Sequence, residues 1–420
     1  MKERLKVAFV GVSGRGSGLM NLVLDTMPDI EVAAVCDLYA DRTAAARRRV
    51  FEKTGKEPFA STDHREVVAL PEVDAVVTPS SWTSHVDVCL DAMNAGKYAA
   101  TEVGGAPSIE DCWELVRTSE RTGMPCMMLE NCCYGREEMA VLRMAREGVF
   151  GELIHCKGAY SHDLREEICR GLENRHYRIH NFSHRAGDLY PTHALGPLAK
   201  ILRINNGNRF VSLTSMQTKS RGLNLWAKEH MGEDSEIAKR DFAAGDVVTT
   251  MIKCAHGETI VLTHDNCLPR PYSRGCLVQG TRGLWSEDKN ACMIEGRDKV
   301  RAEGWDPHAW EPMESIFKDY EHPLWEEFLN DGVRGGHGGM DYLVLRAFFE
   351  AAMKEETPPI TVYDVASWMA ITTLSEDSCH MGSMPVAVPD FTRGKWIEPK
   401  CAPRGKYSLD EVCGEAFGEK

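Results

Sequence analysis

The sequence predicts an α/β protein in two parts. A doubly wound parallel sheet comes first, followed by an α+β region built on a large, mostly antiparallel open sheet. Three observations carry this reading. Apolar runs of strand length alternate with helical patterns through the first 130 residues. A glycine-rich turn follows the first run and opens a helix. Beyond residue 130 the pattern changes to extended stretches joined by tight turns. Units of 1–130 and 131–420 follow.

The first strand is Leu5 to Val10 in "LKVAFVGVSGRGSGLMNLVLDTM", after which Leu19, Val23 and Leu24 recur at helical spacing. "IEVAAVCD" is the second strand and ends on Asp37. "VDAVVTPS" is the third and closes near Thr78, and "SHVDVCLDAMNAG" is the helix after it. "YAATEVGGAPS" is a strand with Glu102 at its C-terminal end, and the buried strand "CMMLE" leads to Asn131. In the second region "LIHCKGAYSHDL" is a strand with Tyr160 near its end. "DVVTTMIKCAHGETIVLTHDN" is two strands joined at His256-Gly257, and "LTSMQTKS" and "RGCLVQGTRGLWSE" are also extended. Pro191 suits the first turn of a helix that runs through "THALGPLAKIL".

The turn reads Gly11-Val12-Ser13-Gly14-Arg15-Gly16, the dinucleotide fingerprint G-x-G-x-x-G with Ser13 in its middle position. Small residues there let backbone N–H groups approach a pyrophosphate at a helix N-terminus. A strand before it, a helix after it and an acid closing the second strand complete the Rossmann pattern. Asp37 lies where a ribose diol binds, and its charge opposes a 2′-phosphate, so NAD is favoured over NADP. Arg15 works the other way, because an arginine in this turn can neutralise a phosphate. Ligands bind beyond the carboxyl ends of parallel strands, which places Trp82, His85, Glu102 and Val103 by the cofactor. The plainer alternative makes Trp82 a packing residue and His85 a helix cap.

Composition narrows the function. Hydrophobic residues are 43% and charged residues 27%, ordinary for a soluble globular chain. The net charge of −14 argues against nucleic acid or an anionic membrane as partner. The chain enters its first strand directly, with no apolar leader and no membrane-spanning run, so a cytoplasmic protein is expected. The 15 cysteines are odd in number, scattered and without a C-x-x-C pair. They read as buried small hydrophobes in a reducing compartment, and no metal site is expected.

"DLYPTHALGP" sets Tyr190 and His193 three residues apart at a helix start, on neighbouring faces. Both groups can donate and accept protons near neutral pH when tuned. The alternative is a packed tyrosine and a buried, bonded histidine. His337 in "GGHGGMD" is flanked by glycines, and its role stays open.

A Rossmann half with Glu102 at the fourth strand end, then a domain with a helix-borne His193, resembles the glucose–fructose oxidoreductase and inositol dehydrogenase superfamily. The common Glu-Lys-Pro of that superfamily is here Glu102-Val103-Gly104, without the lysine. More closely, the chain is similar to glycoside hydrolase family 109, the NAD-dependent α-N-acetylgalactosaminidases. The strings that carry this are "GRG" at 14–16, "MMLENCCYGREE" at 127–138, "GVFGELIH" at 148–155 and "LYPTHALGP" at 189–197. "PRPYSR" at 269–274, "HPLW" at 322–325, "GGHGGMD" at 335–341 and "PDFTRG" at 389–394 continue it in the same order. The chain departs from the family at Ser13 in place of the middle glycine, at Gly104 where the family has Glu-Val-Pro, at Ser84 in place of the second tryptophan of Trp-x-Trp-His, and at Tyr177 in place of a tryptophan before Arg178.

The resemblance implies a glycosidase for terminal α-N-acetylgalactosamine or a related hexoside. It would act by transient C3 oxidation, elimination, hydration and re-reduction, with NAD used catalytically. It implies His193, Tyr160 and Tyr190 as the proton-handling set, with His193 at the C3 hydroxyl and Tyr160 at the C2 proton. Arg178 and Tyr272 would join Tyr160, Tyr190 and His193 on the sugar. Gly11, Ser13, Gly14, Arg15, Gly16, Asp37, Trp82, His85, Glu102, Val103, Asn131 and Tyr190 would hold the cofactor. A homo-oligomer, a dimer or larger, is expected by the same resemblance. The alternative is a sugar 3-dehydrogenase with net turnover of NAD.

Overall fold

The computed structural model describes residues 2–297, 308–398 and 405–417. Six parallel strands form the first sheet: β1 (Leu5–Val10), β2 (Ile30–Cys36), β3 (Phe59–Ser61), β4 (Ala75–Thr78), β5 (Tyr98–Thr101) and β6 (Cys126–Met128). Their order is β3-β2-β1-β4-β5-β6. Winding reverses between β1 and β4, which opens a crevice beyond their carboxyl ends. Leu5, Val7, Ala8 and Phe9 are fully buried, as expected for a strand covered on both faces.

Nine strands form the second sheet: β7 (Leu153–Ser161), β8 (Phe210–Gln217), β9 (Val247–Cys254), β10 (Thr259–Asp265), β11 (Leu277–Gly280), β12 (Gly283–Ser286), β13 (Ala291–Ile294), β14 (Glu311–Pro312) and β15 (Val386–Ala387). Their order is β14-β13-β12-β11-β7-β10-β9-β8-β15. Pairing is antiparallel except between β7 and β10, which run parallel. Strand β9 buries Val248, Thr250, Ile252 and Cys254 and exposes Thr249, Met251 and Lys253, so one face meets the core and the other meets solvent.

Helices settle the two sheets against each other. The helix Thr192–Ile201 lies on β7 at Gly158, where a Cβ would come 2.5 Å from the Ala194 Cβ. The helix Val362–His380 packs on the helix Ile109–Thr122 and on β8, so it sits between the first layer and the second sheet. It opens with a capping box formed by Thr361 and Asp364. The helix Met340–Lys354 returns to β1 and to the turn Asn131–Tyr134. Fourteen described cysteines are free, twelve of them buried. Among the described residues no helix is long and apolar enough to cross a membrane.

Candidate active site

A cavity of about 1140 Å³ opens beyond the carboxyl ends of β1, β2, β4 and β5. Its floor is the glycine-rich turn. Gly11 has φ +95°, and a Cβ on it would lie 2.6 Å from the Ser80 Cα. A Cβ on Gly16 would lie 1.9 Å from the Gly11 carbonyl oxygen. No side chain caps the helix Arg15–Thr26, whose N-terminus meets Ser13 and Gly14 at the cavity wall. A glycine-rich cradle under an uncapped helix N-terminus fits a pyrophosphate.

Asp37 stands at the end of β2. Its carboxylate accepts from the Val12 N–H at 3.0 Å and the Tyr39 N–H at 3.1 Å, which fixes it beside the turn. Arg42 Nη1 comes within 4.0 Å of it, while Arg42 also donates to the Asn174 carbonyl and lies over the Tyr39 ring. Arg175 also lies over the Tyr39 ring, 4.3 Å from its centroid, and pairs with Asp41.

Arg15 lines the cavity, with its guanidinium held by two carboxylates. It donates to both Asp341 oxygens at 2.7 and 2.8 Å and to Glu102 at 2.9 Å. Asn131 and His337 add bonds to Asp341 at 2.8 and 2.9 Å. Burial alone would raise the Asp341 carboxyl, but bonds from His337 and Arg15 hold it well below the usual carboxylate range. Glu102 also accepts from the Val103 N–H at 3.1 Å, and Glu102, Val103, Asn131 and His337 all line the cavity.

His85 begins the helix His85–Asn94 and is buried, with Nε2 donating to the Ser80 carbonyl at 3.1 Å. Burial pushes its pKa down to about 4, so the ring is neutral near pH 7. Trp82 is buried against Gly104, where a Cβ would come 2.3 Å from the indole. Gly104 has φ +144°, a conformation closed to proline, so this strand exit takes a path that Glu-Val-Pro cannot follow. Trp82 then packs on Tyr177, Tyr190 and the Arg178 guanidinium, at 5.0, 5.6 and 5.0 Å.

Beyond Trp82 the proton-handling groups converge. Tyr190 Oη lies 3.2 Å from His193 Nε2, and His193 Nδ1 lies 2.7 Å from Glu130 Oε1. The rings of Tyr160 and Tyr190 are 4.3 Å apart, and Tyr160 Oη reaches His162 Nδ1 at 3.4 Å. Half-exposed Tyr272 extends the cluster, with its ring 6.2 Å from Tyr160 and 5.2 Å from His162. Arg178 is buried over the Trp82 and Tyr190 rings, its Nε 2.7 Å from Glu167. Burial opposes protonation of His193, but the neighbouring Cys132 sulfur and Glu130 carboxylate carry its pKa well above that of a free histidine.

Two groups in this arrangement were not singled out in the sequence. Glu130 closes β6 as Asp37 and Glu102 close β2 and β5, and the strand-end rule that selected those two selects it equally. Asp341 lies inside "GGHGGMD", beside the glycine-flanked His337. No local pattern marks Asp341 as the partner of an arginine 326 positions away.

Turn, strand-end acid and cavity together define a nicotinamide-dinucleotide protein. Residues 5–130 match the oxidoreductase family with an NAD-binding Rossmann fold, and the cofactor is of the NAD type. Residues 134–398 match the C-terminal domain of glycosyl hydrolase 109, and this chain belongs to that family of glycoside hydrolases. An alpha-N-acetylgalactosaminidase of Tannerella forsythia is 40% identical over 416 residues, 94% of this chain and 87% of its own. A glycosyl hydrolase family 109 protein of Parabacteroides distasonis is 38% identical over 425 residues, 94% of this chain and 88% of its own. Levoglucosan dehydrogenase, in complex with NADH and levoglucosan, shares the fold with a TM-score of 0.68 at 17% identity, covering 92% of this chain and 99% of its own.

Proposed function

We propose that the protein hydrolyses terminal α-N-acetylgalactosaminides, or closely related hexosides, through transient oxidation at C3 with NAD as the resident cofactor. The observation that carries this is the relay Glu130–His193–Tyr190 beside Tyr160, at the end of a dinucleotide cavity. Similarity to the Tannerella forsythia enzyme supports the sugar. Asp37 supports NAD, since a 2′-phosphate would meet its carboxylate.

A bound nicotinamide supplies a hydride acceptor to C3 and a hydride donor for its return. This chain's residues handle the protons. His193, made more basic by Glu130, takes the C3 hydroxyl proton as the C3–H bond breaks. The C3 ketone acidifies the C2 proton, which Tyr160 removes, with His162 next to its hydroxyl. The C1–O bond then breaks and the aglycone leaves as its alcohol, taking up the proton removed from C2. Water adds at C1, a proton returns to C2, and the C3 carbonyl is reduced while His193 returns its proton. No net oxidation results. Tyr190 holds His193 Nε2 and forms an aromatic wall with Trp82, and Arg178 caps both rings. Dimerisation through the open sheet belongs to the same reading, with Met216 and Met251 exposed on neighbouring strands β8 and β9.

The deciding measurement follows aglycone release and reduced-cofactor absorbance together, on a panel of nitrophenyl glycosides that includes the α-N-acetylgalactosaminide. Many turnovers of nitrophenol without NADH accumulation are expected, with deuterium from solvent entering C2. NADH rising in step with substrate loss, the glycosidic bond intact, would make the protein a dehydrogenase. His193→Ala and Tyr160→Phe should each lower kcat by at least about a hundredfold with cofactor still bound. Near-full activity in both would remove the assigned roles.

A further inference from the structure

We propose that Glu130, Cys132 and His193 form a binding site for a soft divalent cation of the Zn²⁺ class, overlapping the proton-transfer site. A Glu130 carboxylate oxygen, the Cys132 sulfur and a His193 ring nitrogen all lie within 4.8 Å of one another. Oxygen, sulfur and nitrogen donors of these types are the usual zinc set, and three protein donors leave a fourth position for water or substrate.

A second observation points to a ligand. Glu130 is fully buried, and its Oε2 has no hydrogen-bond partner. A carboxylate oxygen left unsatisfied in the interior is costly, and a cation would satisfy it. Cys132 is 2% exposed, and its sulfur makes a long 3.5 Å contact with the side chain of its own neighbour Asn131. The donors are also held rigidly. Glu130 and Cys132 lie at the turn that follows β6, and His193 lies in the first turn of a helix packed on that turn. His193 lines the cavity, so an ion reaches the site by the route open to the sugar.

Binding is coordination without redox change. The Cys132 thiol releases its proton to solvent, and the ion takes the thiolate, a Glu130 oxygen and a lone pair of His193. Resting on the proton-transfer role given above to His193, the ion and the reaction compete for one ring, so Zn²⁺ inhibits and a chelator restores turnover.

The test uses the full chain with NAD bound, cleared of metal with EDTA and titrated with Co²⁺ and then Zn²⁺. One Co²⁺ per chain is expected, with a thiolate-to-cobalt charge-transfer band that Zn²⁺ abolishes. Cys132→Ser and Glu130→Gln should each lose the band and weaken Zn²⁺ binding by about tenfold or more. Cys133→Ser, which alters the adjacent buried cysteine, should keep both. A cobalt spectrum without the thiolate band, or Zn²⁺ affinity unchanged in Cys132→Ser, overturns the site. These readouts need no turnover, so their failure is distinct from failure of the glycosidase reading.

Discussion

At the scale of single residues, the proposed proton relay depends on the carboxylate behind His193. Against the effect of burial, Cys132 and Glu130 together raise the His193 pKa, and the ring must be free of its proton to accept one. Glu130→Gln should therefore lower that pKa, move the acidic limb of the kcat profile to lower pH, and reduce kcat by about tenfold or more. An unmoved limb would detach Glu130 from the titration. Asp188 offers a second test. It is buried, accepts from the Tyr190 N–H at 3.1 Å, and burial pushes its pKa up to about 7. The folded chain then holds a proton that the unfolded chain releases near pH 4, so stability falls as pH rises from about 4 to 7. Asp188→Asn should remove that fall, raising Tm more at pH 8 than at pH 5. Most of the site was legible at this scale. Tyr190, His193 and Asp37 stand out in their strings, because each sits where an element starts or ends, and Tyr160, near a strand end, stands out through the family resemblance. The contacts of Arg15 do not, because they depend on chain far away in sequence.

At the scale of elements, β7 and the helix Thr192–Ile201 bring Tyr160 and His193 together, and Gly158 sets their spacing. Gly158→Val should push the helix outward, cost on the order of 1–3 kcal/mol in urea unfolding, and lower kcat more than it raises KM. An unchanged kcat at full stability loss would free the catalytic geometry from this contact. Strands β1, β2, β4, β5, β7, β9 and β10 could be read from their apolar runs and bounding turns. The two-residue strands β14 and β15 could not, because a pair that short exists only through its neighbours β13 and β8. The parallel pairing of β7 with β10 was equally invisible, since periodicity gives the faces of a strand and never its partner.

At the scale of the whole molecule, Asp341 ties the nucleotide turn to the helix Met340–Lys354 through Arg15, Asn131 and His337. Asp341→Ala leaves the Arg15 guanidinium short of a partner, and the expected outcome is weaker NAD binding with a lowered Tm by calorimetry. Equal Tm and equal NAD affinity would show the tie to be dispensable. A second link spans the cavity beside Asp37, where Arg42 reaches the Asn174 carbonyl and Arg175 grips Asp41. Its consequence is kinetic. A dehydrogenase must trade its coenzyme each cycle, whereas a redox-neutral hydrolase can keep one molecule for many cycles. On the proposed reaction, walls clasped across the nucleotide channel suit the second economy: the dinucleotide would serve as a prosthetic group, and turnover would not track the NAD pool outside.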